Sequence, residues 1–430
     1  MPLRIGCLYR AHSVVTECLS MQKTYQYRCY GCERIYADAE APYRCGSCGE
    51  PLSLESLGTP AKAHMDAFPV SLWHYFDLLP AMDRSRVVTL GEGATPLVDA
   101  ARVAGRYGFG RLTLKNEAAN PTGSFKDRQV AVGITHAREL GARTVAVVSS
   151  GNVACATAAY AARSGLRSIL LMHGHAASSK LAQAASYGAV CVRVDSPSAA
   201  ATFELCVEAC RRFGWYHLST AGMYEPFNVE GAKTIAYEIY QQTGGELPDW
   251  IVAPVGGGGL LGGIWRGLLD LKRLRLIDRL PRLAGVQAAG CAPLTAAISK
   301  GLRFLDTLRE PWPNPRTVAG GIADDILFDG HTVLPAIRST RGTAIAVSDE
   351  EILDAELFLA RSEGLLCEPS SATVIAALPH LPEAAQGAHI CVVLTGSGIK
   401  DLEAVKPRIA PPCVVEASLD ALESALGSQS

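Results

Sequence analysis

From Thr144 onward, strand-like and helix-like segments alternate, and that rhythm leaves few folds open. Thr144-Val-Ala-Val-Val148 reads as a buried strand, Val153–Arg163 as an Ala-rich helix and Ser168–Met172 as a second strand. Lys180–Tyr187 reads as a helix stopped by Gly188, Ala189–Val194 as a strand and Ala199–Phe213 as a helix. Parallel neighbours need a crossover, so this βαβαβα order predicts a parallel sheet with helices on its faces. A second set follows: helix Ala232–Gln242, strand Trp250–Val255, helix Leu260–Leu271 and strand Leu283–Gln287. Strand Thr343–Val347, helix Asp349–Ser362 and strand Ile390–Leu394 come later, and Arg303–Pro315 reads as a loop.

The 430 residues suffice for two to four domains, and 48% hydrophobic against 19% charged residues provides ample core. A net charge of −2 gives no electrostatic footprint for nucleic acid. The richest apolar stretch, Thr144–Ala162, is broken by Ser149-Ser-Gly-Asn152, and a spanning helix needs about 20 mostly apolar residues. No membrane partner is therefore expected. The first twenty residues carry Arg4, Arg10 and Glu17 without an apolar h-region, so they do not read as a secretory signal. They read as an unstructured tail or a start called too early, since Met21 precedes the first recognisable element; a transit peptide is the other reading.

Fourteen cysteines occur. Ten are scattered, several in apolar runs, which fits a reducing cytoplasm better than a disulfide scaffold. The other four form Cys29-x-x-Cys32 and Cys45-x-x-Cys48, twelve residues apart. Each knuckle presents two thiolates on one turn, and two turns close a tetrahedron, so residues 23–58 read as a zinc ribbon. Two disulfides or a redox pair are the alternatives. So small a unit needs a staple, and a four-Cys site is structural rather than catalytic. Activity is expected to survive its loss, since it stands outside the loops described next.

Three strand-end loops carry unusual composition. Asn120-Pro-Thr-Gly-Ser-Phe-Lys126 opens a helix with a lysine, where the helix dipole disfavours a cation and depresses its pKa. Val148-Ser-Ser-Gly-Asn152 offers Ser149, Ser150 and helix N-terminal amides to an anion such as a carboxylate. Pro254-Val-Gly256-Gly257-Gly258-Gly259-Leu260 lets backbone amides converge on a phosphate. It is neither a Walker loop nor a G-x-G-x-x-G fingerprint. Taken singly, the first two read as a solvated lysine and a plain N-cap. A fourth loop, Leu394-Thr395-Gly-Ser-Gly398, sets a hydroxyl among glycines. An amine, a carboxylate site and a phosphate cradle on one α/β chassis are what pyridoxal phosphate chemistry needs.

The segments Leu90-Gly-Glu-Gly-Ala-Thr-Pro-Leu97, Asn120–Arg128, Ser150-Gly-Asn152, Lys180-Leu-Ala-Gln183, Gly285-Val-Gln-Ala-Ala289, Glu368-Pro-Ser-Ser371 and Thr395–Asp401 resemble the threonine synthase family. That family lies among the fold-type II pyridoxal phosphate enzymes, beside serine/threonine dehydratases and cysteine synthases, and some members carry an N-terminal zinc ribbon. The resemblance implies an α/β fold of two parallel-sheet domains with the cofactor between them. It implies Lys126 as the Schiff-base lysine and the base for the α-proton, with Asn152 on the ring hydroxyl. It puts Gly256, Gly257, Gly258 and Gly259 on the cofactor phosphate, Thr395 at the pyridine nitrogen, and Ser149 and Ser150 on the substrate carboxylate. Glu368 is an acid of undefined role. Two segments depart from the family. Threonine synthases usually show a Gly-Asn-x-Gly-Asn phosphate loop, where this chain has glycines as dehydratases do. Their Arg-Ile-Glu-Gly-Gln-Lys-Thr reads here Asn228-Val-Glu-Gly-Ala-Lys-Thr234. Asn228 is placed on a loop facing the distal end of the substrate, with Lys233 as a partial substitute for the missing guanidinium.

The resulting division is 1–22 tail, 23–58 ribbon, 59–125 with 226–412 a large cofactor-binding domain, 126–225 a small domain, and 413–430 a C-terminal tail. The expected function is a cytoplasmic pyridoxal phosphate lyase resembling threonine synthase, acting on a small amino acid and carrying structural zinc. A homodimer is the working expectation for its assembly. A serine/threonine or diamino-acid ammonia-lyase or a β-replacement enzyme is the rival enzyme. A non-catalytic ribbon protein with a degenerate body is the rival of another class, and the retained Lys126, Asn152, glycines and Thr395 argue against it.

Overall fold

A computed structural model describes residues 25–36, 44–56, 69–80, 83–173, 178–195 and 199–427. The expected tail 1–22 and residues 57–68, at the end of the expected ribbon and the start of the expected large domain, lie outside them. Thirteen strands form three sheets among the described residues. β1 (Tyr25–Cys29), β2 (Ile35–Tyr36) and β3 (Leu52–Ser56) make an antiparallel sheet of order β2-β1-β3. β4 (Leu97–Asp99), β5 (Arg111–Asn116), β10 (Trp250–Pro254), β11 (Arg282–Ala288), β12 (Thr343–Val347) and β13 (His389–Leu394) make a six-stranded sheet of order β12-β11-β10-β13-β5-β4. Only β4 runs antiparallel in it. β6 (Thr144–Val148), β7 (Arg167–His173), β8 (Val190–Val194) and β9 (Tyr216–His217) form a parallel sheet of order β8-β7-β6-β9.

The strands form where the pattern predicts because both sheet faces can be made apolar. On β10, Trp250 and Val252 enter one core with Leu112 and Leu114. Ile251 and Ala253 enter another with Leu261 and Ile264. A period of two with both faces buried is the signature of a parallel strand covered by helices on each side. The rhythm of local signals also sets helix ends. Ser348 starts helix Asp349–Glu363 through a capping box: its Oγ accepts from Glu351 N at 3.3 Å, and Glu351 Oε2 accepts from Ser348 N at 2.7 Å.

Three segments differ from the sequence reading. The helix expected from Ala232 runs Pro226–Gln242, because Pro226 suits the first turn and the Glu225 carboxylate accepts from the N–H groups of Phe227 and Asn228. It crosses helix Lys126–Glu139 at Gly231, where a Cβ would stand 2.1 Å from the carbonyl oxygen of Arg128. Any side chain there would push the two helices apart. The expected loop Arg303–Pro315 contains a short helix, Phe304–Thr307. The expected C-terminal tail carries helix Leu419–Gly427.

The N-terminal sheet rests against the rest of the chain. Leu54 joins a core with Leu72, Val130, Ile134 and Phe227. Arg266 donates to the carbonyl of Leu54 at 3.1 Å, and the rings of Tyr30 and His331 meet edge to face at 5.1 Å. Among the described residues, no helix is long and apolar enough to cross a membrane.

Candidate active site between the two parallel sheets

Loops following β5, β6, β9, β10 and β13 converge on the carboxyl side of the two parallel sheets, where open α/β folds bind ligands. Backbone bonds tie them together. Phe125 N donates to Thr395 O at 2.9 Å, and Ser397 N donates to Gly123 O at 2.9 Å.

Lys126 is the first residue of its helix, which has no side-chain cap. Its Nζ donates to Gln129 Oε1 at 2.8 Å and to Thr220 Oγ1 at 3.1 Å, and lies 4.6 Å from the centre of the Phe125 ring. Burial pulls the ammonium down to about 8, against the opposing charges of Asp324 and Asp329. Burial thus leads, where the sequence reading pointed to the helix dipole.

The start of that helix is clamped from beneath. Arg128 is fully buried and binds Glu117 at 2.6 and 2.8 Å and Glu238 at 2.6 and 2.7 Å. Lys115 Nζ reaches Glu238 at 2.6 Å, and Asn120 donates to Glu117 at 2.9 Å. Buried charges persist only when paired this fully. The network fixes β5, the Asn120–Phe125 turn and helix Pro226–Gln242 relative to Lys126.

The glycine loop has no room for side chains. A Cβ on Gly256 would stand 2.6 Å from Asp324 Oδ2, on Gly257 3.0 Å from the Phe328 ring, on Gly258 2.8 Å from Val333 and on Gly259 3.0 Å from Asp329 Oδ2. Gly258 also has φ +105°, the left-handed region that glycine occupies freely. Its neighbour opens helix Gly259–Arg273, again without a side-chain cap. On the next loop, Ser149 Oγ accepts from Gly151 N at 3.2 Å, while helix Asn152–Ser164 has no side-chain cap. The simple N-cap reading of these serines is therefore not what the chain builds.

Asn152 Nδ2 donates to Glu368 Oε2 at 2.7 Å, and Glu368 pairs with Lys180 at 2.8 Å. Asn152 Oδ1 is buried without a protein partner. Thr395 Oγ1 lies 3.2 Å from Ser371 Oγ, which also accepts from Thr395 N. Lys126, Ser149, Ser150, Asn152, Gly256–Gly259 and Thr395 thus all lie on the converging loops.

Asn228 departs from its expected place. It sits in the first turn of helix Pro226–Gln242, fully buried, with Nδ2 donating to Ser219 O at 2.8 Å. Its amide fills the space beside Gly133, whose Cβ would lie 2.4 Å away. Lys233 is bound to Glu230 at 2.7 Å and Asp270 at 3.1 Å, so it is not a free cation for a substrate. Thr220, Asp324 and Asp329 were not found from sequence, because each comes to the lysine or the glycines from a segment without distinctive spacing; Gln129, one helical turn after Lys126, is an i,i+3 neighbour that the sequence reading passed over.

The Sγ atoms of Cys29, Cys32, Cys45 and Cys48 lie within 4.8 Å of one another, with Cys29–Cys48 at 3.3 Å and Cys32–Cys45 at 3.5 Å.

Residues 88–396 match the family described as pyridoxal-phosphate dependent enzyme. The threonine synthase of Methanocaldococcus jannaschii is 37% identical over 93% of this chain and 98% of its own length. That of Methanosarcina acetivorans is 36% identical over 94% and 98%. Among solved structures, a T.th. threonine deaminase superposes with TM-score 0.60 at 28% identity, over 70% of this chain and 92% of that one. A maize serine racemase shares the fold at TM-score 0.60 and 21% identity, over 78% and 92%. A family match across most of the chain settles the class: the chain belongs to the pyridoxal-phosphate dependent enzymes of fold type II and is a lyase resembling the threonine synthases.

Proposed function

We propose that the chain converts O-phosphohomoserine and water to threonine and phosphate, with Lys126 at the centre of the cleft. The observation that carries this reading is the length of the match: 98% of the Methanocaldococcus jannaschii threonine synthase, at 37% identity. The cleft residues fit the cofactor. A buried Asn152 Oδ1 awaits a donor, which the ring hydroxyl offers. Gly256–Gly259 present a cradle that any Cβ would fill. A lysine near neutrality stands beside it.

Pyridoxal phosphate, when bound, supplies the electron sink for reactions at the α-carbon. Lys126 would hold it through Nζ and, once released, take the α-proton and return it. An amine pulled to about 8 is matched to both tasks near neutral pH. The Gly256–Gly259 amides would hold the cofactor phosphate and Ser149 and Ser150 the substrate carboxylate. Thr395, a neutral hydroxyl oriented by Ser371, would face the ring nitrogen. Glu368 fixes the Asn152 amide so that Oδ1 points away from the carboxylate.

One observation favours a second reading, an ammonia-lyase acting on serine, threonine or a diamino acid. Lys233 is engaged in ion pairs and Asn228 is buried against Gly133, so the segment provides no guanidinium or free ammonium for a substrate phosphate. The two are separated by offering O-phosphohomoserine, threonine, serine, O-phosphoserine and 2,3-diaminopropionate, and scoring phosphate, ammonia and keto acid. Phosphate with threonine from O-phosphohomoserine supports the first reading. Ammonia and keto acid with no phosphate release overturns it.

The four clustered thiols would hold one structural zinc ion. Bonds of about 2.3 Å in a tetrahedron set sulfurs about 3.8 Å apart, within the span found here. The cofactor would lie between a large domain of residues 59–125 and 226–412 and a small domain of 126–225. A cytoplasmic site of action is supported by the unpaired thiols along the chain.

A further inference from the structure

Asp324 places a carboxylate on the cradle that a phosphate would use. Its Oδ2 lies 2.6 Å from the point a Gly256 Cβ would occupy and 3.4 Å from that of Gly257. The Gly257 N–H favours its charged form. Asp329 stands nearby but is anchored, since its Oδ1 accepts Gly222 N at 2.8 Å. Other charged or titratable groups bearing on Asp324 are Lys126, Asp325 and Cys291, and Arg266 acts on Asp329. Each loop N–H carries one proton to donate, so a carboxylate and a phosphate oxygen compete for the Gly257 amide.

We propose that Asp324 is a proton-controlled competitor for the cofactor phosphate. Charged, it holds the Gly257 N–H and repels the incoming dianion. With a proton taken from solvent, it releases the amide and donates its O–H to a phosphate oxygen. This rests on Gly256–Gly259 being the phosphate site.

The electrostatics agree in sign. Burial lifts Asp324 to about 6, against the opposing pull of Lys126 and the Gly257 N–H. A phosphate dianion beside it raises that value further, as like charges do. Binding therefore takes up a proton, and cofactor affinity falls as pH rises through that range.

The test measures the dissociation constant of pyridoxal phosphate from the apoenzyme between about pH 5.5 and about pH 8.5, by cofactor absorbance, for wild type and Asp324→Asn. Pyridoxal, which lacks the phosphate, is the parallel probe. Lys126 and the phosphate itself titrate in both proteins; loss of the Asp324 charge also lowers Lys126, and that part of the difference is common to both probes. The amide variant should bind pyridoxal phosphate about tenfold or more tightly at the alkaline end and equally at the acid end. Pyridoxal should shift less than pyridoxal phosphate, by the part that passes through Lys126. Superimposed curves, or an equal shift for pyridoxal, would overturn the proposal. Asp324→Ser repeats the measurement with a smaller side chain if the amide variant misfolds. Gly257→Ala tests the cradle itself: it should weaken pyridoxal phosphate but not pyridoxal. If it weakens neither, the phosphate-site reading fails and the competitor falls with it; if it behaves as expected while Asp324→Asn does nothing, only the competitor fails.

Discussion

The thiol cluster and the cleft are both built from loops, but they are held in opposite ways. The four thiols come from one short stretch, Cys29 to Cys48, and the core of their sheet is little more than Cys29, Cys45 and Leu52. The cleft gathers residues from Lys126 to Thr395 onto three large apolar cores and a buried network of four charges, Lys115, Glu117, Arg128 and Glu238. A site with almost no core must be stapled by its own ligand. A site with a large core can leave its ligand groups open and let buried charges set their positions.

Four measurements would break or sharpen that contrast. The largest effect should come from Lys126→Ala. Turnover should drop by at least about a thousandfold with thermal stability close to wild type, because Nζ, the proposed reacting group, is not part of the clamp. Borohydride should no longer fix cofactor to the peptide containing residue 126; covalent labelling that persisted there would sink the assignment. Arg128→Leu should follow, destabilising by about 3–5 kcal/mol in denaturant titration, because it leaves Glu117 and Glu238 buried and underpaired. A loss under about 1 kcal/mol would show that the network does not hold the cleft.

Cys45→Ser should lose about one zinc per chain by metal analysis and cost about 1–2 kcal/mol. The sequence reading left activity untouched by this change. The packing of Leu54 beside Val130 and Phe227, and the bond from Arg266 to Leu54 O, carry the strain into the helices flanking the cleft. Cofactor binding should therefore weaken measurably while the main chain stays folded by circular dichroism. Zinc absent from reduced wild type would defeat the metal assignment. The smallest effect should be Ser348→Ala, about 1 kcal/mol, with kcat and cofactor affinity unchanged, since that cap touches neither site. A change in cofactor affinity there would mean that stability anywhere in the sheet reaches the cleft.

Much of this architecture was readable from residue order. The run Trp250–Pro254 is apolar throughout and Thr343–Val347 is apolar after its first residue, so the strands announced themselves. β5 did not, because its fifth position holds Lys115, whose charge is cancelled by Glu238 from a helix more than a hundred residues away. The start of helix Pro226–Gln242 was missed because apolar periodicity begins late, while the Glu225 cap acts before it. That one error moved Asn228 from a substrate-facing loop to a buried helix contact.

By itself, the sequence determined the alternating α/β order, the spacing of the four cysteines and the three strand-end loops with Lys126, Ser149–Asn152 and the glycines. These are local patterns: period two, helical period and turn chemistry act over a few residues. Only the tertiary structure decided what faces those loops. It set Thr220 on the lysine amine, Asp324 against the glycine loop and Glu368 on Asn152. It also buried Lys126 enough to bring its ammonium down to about 8. Desolvation and charge pairing depend on distances between segments remote in the chain, and no residue spacing encodes them.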